Sequence, residues 1–91
     1  MNEELIAKYN KITAKISDLR EDIKCTEKAL TDSKLDWITV REYKNDILED
    51  RRQLLEYEEL LNSLFDYLTL HHMKEEIKEI SRLKEERSRK K

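Results

Sequence analysis

The chain contains no glycine and no proline in its 91 residues, although average usage would supply about 11 of the two together. Glycine most readily takes positive φ in tight turns, and proline fixes turns and interrupts helices. A chain that lacks both is strongly biased toward uninterrupted helix. The same absence excludes the glycine-dependent phosphate loops and nucleophile elbows that many enzymes use.

The apolar residues of the N-terminal third recur in alternating steps of four and three. Charged side chains dominate the positions between them, and such steps keep one narrow stripe on one side of a helix. We therefore predict a first helix over about residues 3–31. Its stripe consists of Leu5, Tyr9, Ile12, Ile16, Leu19, Ile23, Thr26 and Leu30.

A break follows at Thr31, Asp32 and Ser33, whose side chains are of the kind that cap helix N-termini. We predict a second helix over about residues 34–69, with the same alternating steps. One charged residue interrupts its stripe of Val40, Tyr43, Ile47, Asp50, Leu54, Tyr57, Leu61, Leu64 and Leu68.

The two stripes can pair if the chain reverses at the capping residues. Pairing centred on Ser33 places Tyr9 opposite Tyr57 and Met1 opposite Phe65, which predicts an antiparallel helical hairpin with coiled-coil-like packing. The alternative is one long helix that forms an extended dimeric coiled coil, because nothing at residues 31–33 forbids helix.

Apolar residues surround most of the second helix between residues 54 and 70, and one hairpin partner cannot cover all of them. At 100° per residue, a further stripe of Trp37, Leu48 and Leu55 lies on the flank of this helix, roughly 100° or more from its main stripe. We expect a third helix, a second subunit or a target protein to cover this surface. The predicted interface residues are Trp37, Leu48, Leu55, Leu60, Phe65, Tyr67 and Leu70.

The apolar phase slips near Thr69, which predicts either a short third helix over about residues 72–83 or a continuation of the second. Residues 84–91 are polar and predicted to fray. The fold class is thus all-α, with one domain over residues 1–83. We expect dimerisation to complete a helical bundle, because so small an apolar core is marginal alone.

The candidates for chemistry do not converge in the sequence. His71 and His72 are adjacent and so point about 100° apart, Cys25 is distant from both, and Asp50 is most simply an interface-edge or register-fixing residue. We expect no catalytic residue, no metal and no cofactor. The alternative function is a nucleic-acid-binding accessory protein that uses the basic C-terminal residues Arg82, Lys84, Arg87, Arg89, Lys90 and Lys91.

The favoured function is therefore a cytoplasmic, non-enzymatic module for protein–protein interaction. It would be an adaptor, regulator or inhibitor of a larger partner, of a kind found in mobile genetic elements. The expected partners are a second copy, a protein target or both, with no membrane and no small-molecule substrate. The single cysteine and an N-terminus without the features of a signal peptide favour the cytoplasm.

Overall fold

The computed structural model describes residues 1–89, which form helices joined by turns and contain no strand. The predicted all-α class is confirmed, and the helices pack against one another. The order along the chain is α1 (Glu3–Ala29), α2 (Trp37–Leu70) and α3 (Lys74–Arg89).

The contacts divide the chain into two compact units. Unit 1 combines Met1–Thr13 with the chain from Glu59 onward, and unit 2 is the continuous segment Ala14–Glu58. Both units therefore draw on α1 and α2. The expectation of one domain over residues 1–83 stays a prediction.

Side chains cap the start of α1 and the start of α2. The Asn2 Oδ1 atom accepts hydrogen bonds from the backbone N–H groups of Glu4 and Leu5, at 3.1 and 3.3 Å. The Asp36 Oδ1 atom accepts one from the Thr39 N–H at 2.7 Å. Both contacts satisfy amide groups that the first turn of a helix leaves without a partner.

The chain leaves the helical conformation between Ala29 and Trp37, so the alternative of one continuous rod is wrong. The first helix ends two residues earlier than predicted and the second begins three residues later. The reason is that Asp36, and not Ser33, is the N-cap of α2. Within the turn, the Asp32 Oδ1 atom accepts the Lys34 N–H at 2.9 Å.

Unit 1 has a core built from all three helices. Tyr9, Leu64, Leu68 and Ile80 are buried and form one cluster, and Leu68 is fully enclosed. The partly buried side chains packed around them are Leu5, Ile6, Leu61, Phe65, Met73, Ile77 and Leu83. The third helix therefore covers part of the apolar surface of α2 between residues 54 and 70, which the hairpin partner alone was not expected to cover.

The contacts of α1 with α2 differ from the predicted register. In unit 1, the Tyr9 ring lies edge-on to Phe65 with centroids 6.3 Å apart, whereas the prediction placed Tyr9 opposite Tyr57. In unit 2, Arg20 forms an ion pair with Glu58 at 3.4 Å. Pairing centred on Ser33 would instead place Arg20 opposite Asp46. The partners on α2 thus lie two or more helical turns closer to its C-terminus than expected.

The end of α2 is a Schellman motif without glycine. The Met73 N–H donates to the Leu68 carbonyl at 2.9 Å, and the His72 N–H donates to the Thr69 carbonyl at 3.2 Å. His72 takes the left-handed conformation, with φ of 53°. The chain reverses here, so α3 is a separate helix and not a continuation of α2.

The third helix extends further than predicted, from Lys74 to Arg89. The expected fraying over residues 84–91 is therefore corrected for residues 84–89, and residues 90–91 lie outside the described part. Arg82 bridges Glu79 and Glu86, one turn away on either side. Such pairs stabilise a helix surface, and Arg87 and Arg89 suit the negative end of the helix dipole.

We predict that His72→Gly makes the protein more stable, by about 0.5–1 kcal/mol in chemical denaturation. Glycine relieves the left-handed strain of a residue with a Cβ, and this gain exceeds the added entropy of the unfolded chain. His72→Val should lower the free energy of unfolding by about 1 kcal/mol or more, because β-branched residues tolerate positive φ worst. A glycine variant less stable than the native protein would contradict this account.

We also predict that Leu68→Ala lowers the free energy of unfolding by about 2–5 kcal/mol, because it opens a cavity in the core of unit 1. The matched control is Leu70→Ala, two residues away, where 76% of the side chain is exposed. This control should change the stability by no more than about 0.5 kcal/mol. Denaturation followed by circular dichroism measures both values, and equal effects would refute the assignment of the core.

Candidate protein-binding face of α2

Three large apolar side chains of unit 2 are exposed along α2. The exposed fractions are 73% for Trp37, 65% for Leu48 and 62% for Leu55. Leu48 follows Trp37 by 11 residues and Leu55 follows by seven more, so all three lie within about 20° of one another around the helix axis. They form a stripe about 27 Å long, which we call the Trp37 stripe.

The Trp37 stripe lies beside the packed face of α2 and not on it. Ile47, which is buried, is rotated by about 80° from Trp37. Ion pairs between α1 and α2 lie between these two directions: Glu27 with Arg51 and Arg20 with Glu58, each at 3.4 Å. The contacts with α1 therefore leave the stripe open along its whole length in unit 2.

The Asp36 cap fixes the N-terminal end of this stripe. Trp37 is the first residue of α2, so the capping bond from the Thr39 N–H to Asp36 sets the direction in which the helix begins. This hydrogen bond from the Thr39 backbone, together with one from the Thr39 side chain, lowers the pKa of Asp36 below its ordinary value.

The remaining predicted interface residues lie in unit 1. Leu60, Tyr67 and Leu70 are exposed, with Leu70 the most open. Phe65 is half-buried against Tyr9 and packs on the core. The structure therefore packs Phe65 against the core of unit 1, which leaves only part of this residue exposed.

The polar candidates do not assemble into a reactive site. The His71 ring packs on Tyr67 with centroids 4.3 Å apart, and His72 forms the turn after α2. Cys25 is exposed, and Asp50 is half-buried on α2. Within residues 1–89, no group of three or more His, Cys, Asp or Glu side chains is arranged to hold a metal ion.

The basic residues of α3 do not share one face. Arg82 is occupied by Glu79 and Glu86, and the hydrogen bond and charge of Glu79 raise the pKa of Arg82 further. Helical geometry places Lys84 and Arg87 on the opposite side from Arg82 and Arg89. The other two residues of the predicted nucleic-acid site, Lys90 and Lys91, lie outside the described residues.

Two features were missed by reasoning from the sequence. Ile38, beside Trp37, is also exposed, and its place in the first turn of α2 could have indicated this. Glu76 is buried and accepts a hydrogen bond from the Asn2 backbone N–H at 3.1 Å. No local pattern marks that contact, because the two residues are distant in sequence.

No family model matches the chain, and neither a curated protein nor a solved structure matches it significantly. None of the helices in residues 1–89 combines the length and the apolar character that crossing a membrane requires.

We predict that Asp36→Ala lowers Tm at pH 7 by about 5 °C through loss of the cap, whereas Asp36→Asn retains an oxygen acceptor. Because the pKa of Asp36 is lowered in the folded protein, its ionised form stabilises the fold above the unfolded pKa. This stabilisation is lost as the pH falls through the folded pKa.

The difference in Tm between the native protein and Asp36→Ala should therefore narrow below about pH 4. The difference between Asp36→Asn and Asp36→Ala should stay constant, since neither variant titrates at this position. Thermal melts from pH 7 to pH 2 measure both. If the difference in Tm between the native protein and Asp36→Ala does not depend on pH, the ionised form of Asp36 does not stabilise the start of α2.

Proposed function

We propose that this protein is a non-enzymatic helical module for protein–protein interaction, which acts as an adaptor, regulator or inhibitor by docking the Trp37 stripe onto another protein. The observation that carries the proposal is the exposure of Trp37, Leu48 and Leu55 on one face of α2. Single exposed apolar residues are ordinary, but an aligned group with a tryptophan is typical of a binding surface.

The energetics of docking favour this function. Burying one exposed leucine side chain contributes about 1.5–3 kcal/mol, and tryptophan is enriched among the residues that dominate binding energy. Leu48 and Leu55 are seven residues apart, the spacing at which two helices meet along a shared seam. The stripe therefore suits a partner that presents an apolar helix face.

The proposal includes an antiparallel hairpin with coiled-coil-like packing of α1 on α2. Its support in unit 2 is the order of two ion pairs: Arg20 pairs with Glu58, while Glu27, further along α1, pairs with Arg51, which is earlier in α2. We place the module in the cytoplasm, with the single cysteine as support.

Self-association is a second part of the proposal. The exposed Leu60, Tyr67 and Leu70 of unit 1 give a second apolar surface on which a homodimer could form a helical bundle. Sedimentation equilibrium over a range of protein concentrations measures this association. If the protein is a monomer at every concentration, self-association is excluded and only a different protein remains as the partner.

We predict that a variant with Trp37→Ser, Leu48→Ser and Leu55→Ser loses its protein partner. The native protein and this variant would be immobilised and exposed to a cytosolic extract of the source organism. The matched control carries Leu60→Ser, Tyr67→Ser and Leu70→Ser, which removes the apolar surface proposed for self-association and leaves the Trp37 stripe intact.

The native protein and the control should retain the same partner, and the stripe variant should retain it about tenfold less or worse. Circular dichroism confirms that each variant is folded. Equal capture by the stripe variant and the native protein would rule out docking through this face.

A further inference from the structure

Basic side chains flank the Trp37 stripe on both sides. At 100° per residue, Arg41, Lys44, Arg51 and Arg52 all lie within about 60° of Trp37 around the helix axis. In unit 2 the same sector of α2 contains a single carboxylate, Glu58, which pairs with Arg20 of α1. The stripe is therefore an apolar strip with a positively charged border.

Two of the four cations already have partners. Arg51 pairs with Glu27 of α1. Arg52 is held by Glu49 and Glu56, one turn away on either side, and its hydrogen bond and charge interaction with Glu49 raise the pKa of Arg52. These two guanidinium groups contribute to the fold of unit 2 and have little free charge to offer to a ligand.

Arg41 and Lys44 are different, because both are exposed and neither forms an ion pair or a side-chain hydrogen bond within residues 1–89. They lie on the two sides of the stripe, between Trp37 and Leu48.

We infer that the occupant of the Trp37 stripe is an acidic amphipathic helix, whose apolar residues cover Trp37, Leu48 and Leu55 and whose carboxylates face Arg41 and Lys44. This inference rests on the proposed function and names the chemistry of its partner. Complementary charge beside an apolar seam selects the partner and its orientation. The helix meets two cations that form no ion pair within residues 1–89.

A helix fits this surface better than an anionic membrane does. The neighbouring sector of α2, about 100–180° from Trp37, contains Glu42, Asp46, Glu49 and Glu56. A flat anionic surface would approach part of this acidic sector, whereas a helix contacts only a narrow strip. A second copy docked stripe to stripe would bring its own Arg41 and Lys44 against these two cations.

The test uses the single tryptophan of the chain as its reporter. A synthetic amphipathic peptide of about 21 residues, without tryptophan, would carry leucines at heptad spacing and glutamates beside them. A matched peptide would carry lysines in place of the glutamates. We expect the glutamate peptide to shift the emission of Trp37 and to bind at least about tenfold more tightly than the lysine peptide, with affinity falling as salt rises.

The charge-reversed variant Arg41→Glu/Lys44→Glu should invert this preference and bind the lysine peptide more tightly. Its matched control is Lys8→Glu/Lys11→Glu, two exposed cations of α1 with the same spacing. The control should keep the preference of the native protein, and circular dichroism should show both variants folded.

Equal affinity for the two peptides, or tighter binding of the lysine peptide by the native protein, would overturn the inference. So would a larger shift of Trp37 emission on phosphatidylserine vesicles, or on raising the concentration of the protein alone, than on the glutamate peptide. These outcomes concern the kind and the charge of the occupant. Docking through the stripe is decided separately by the capture experiment with the serine variants.

Discussion

Every helix end in this protein has to be made without the two residues that usually make them. Asn2 and Asp36 cap the starts of α1 and α2 with side-chain oxygens, and His72 takes a left-handed conformation to end α2. The last of these has the largest consequence. The Met73 N–H bond to the Leu68 carbonyl turns the chain at the residue where the core of unit 1 is most deeply buried. One short segment thus ends α2 and sets the start of α3, whose Ile80 packs in the core with Leu68.

The all-α fold class followed from composition and apolar spacing, because a 3.6-residue period on one face has no other simple explanation. The register between α1 and α2 did not. A heptad stripe offers nearly the same apolar contacts when it slides by about one repeat, and the ring that Tyr9 meets, Phe65, lies eight residues beyond Tyr57. The length of the turn between Ala29 and Trp37 decides among these registers. The turn was misplaced because several adjacent residues there can serve as caps.

The candidate site was predictable to the extent that it is a property of one helix. Trp37, Leu48 and Leu55 were placed together from the 100° rotation per residue, and all three are exposed in the structure. Phe65 was assigned to the interface as well, but the burial of its side chain depends on which residue of α1 packs against it. That is a tertiary contact, and it follows from the register. The charged border could have been derived from the same helical geometry once the stripe was identified.

Unit 1 is discontinuous in sequence, since Met1–Thr13 joins a segment that begins at Glu59, while unit 2 is continuous. Forming unit 1 first would close the whole of unit 2 into a flexible loop, at an entropic cost of roughly 3 kcal/mol before any constant term. Prior folding of unit 2 would shorten that loop. We therefore expect the contacts of Tyr9 and of Asn2 with the C-terminal helices to form late in folding. Cleavage of the backbone in the turn between α1 and α2 would therefore break the covalent link between the two segments of unit 1, although the cleaved bond lies in unit 2.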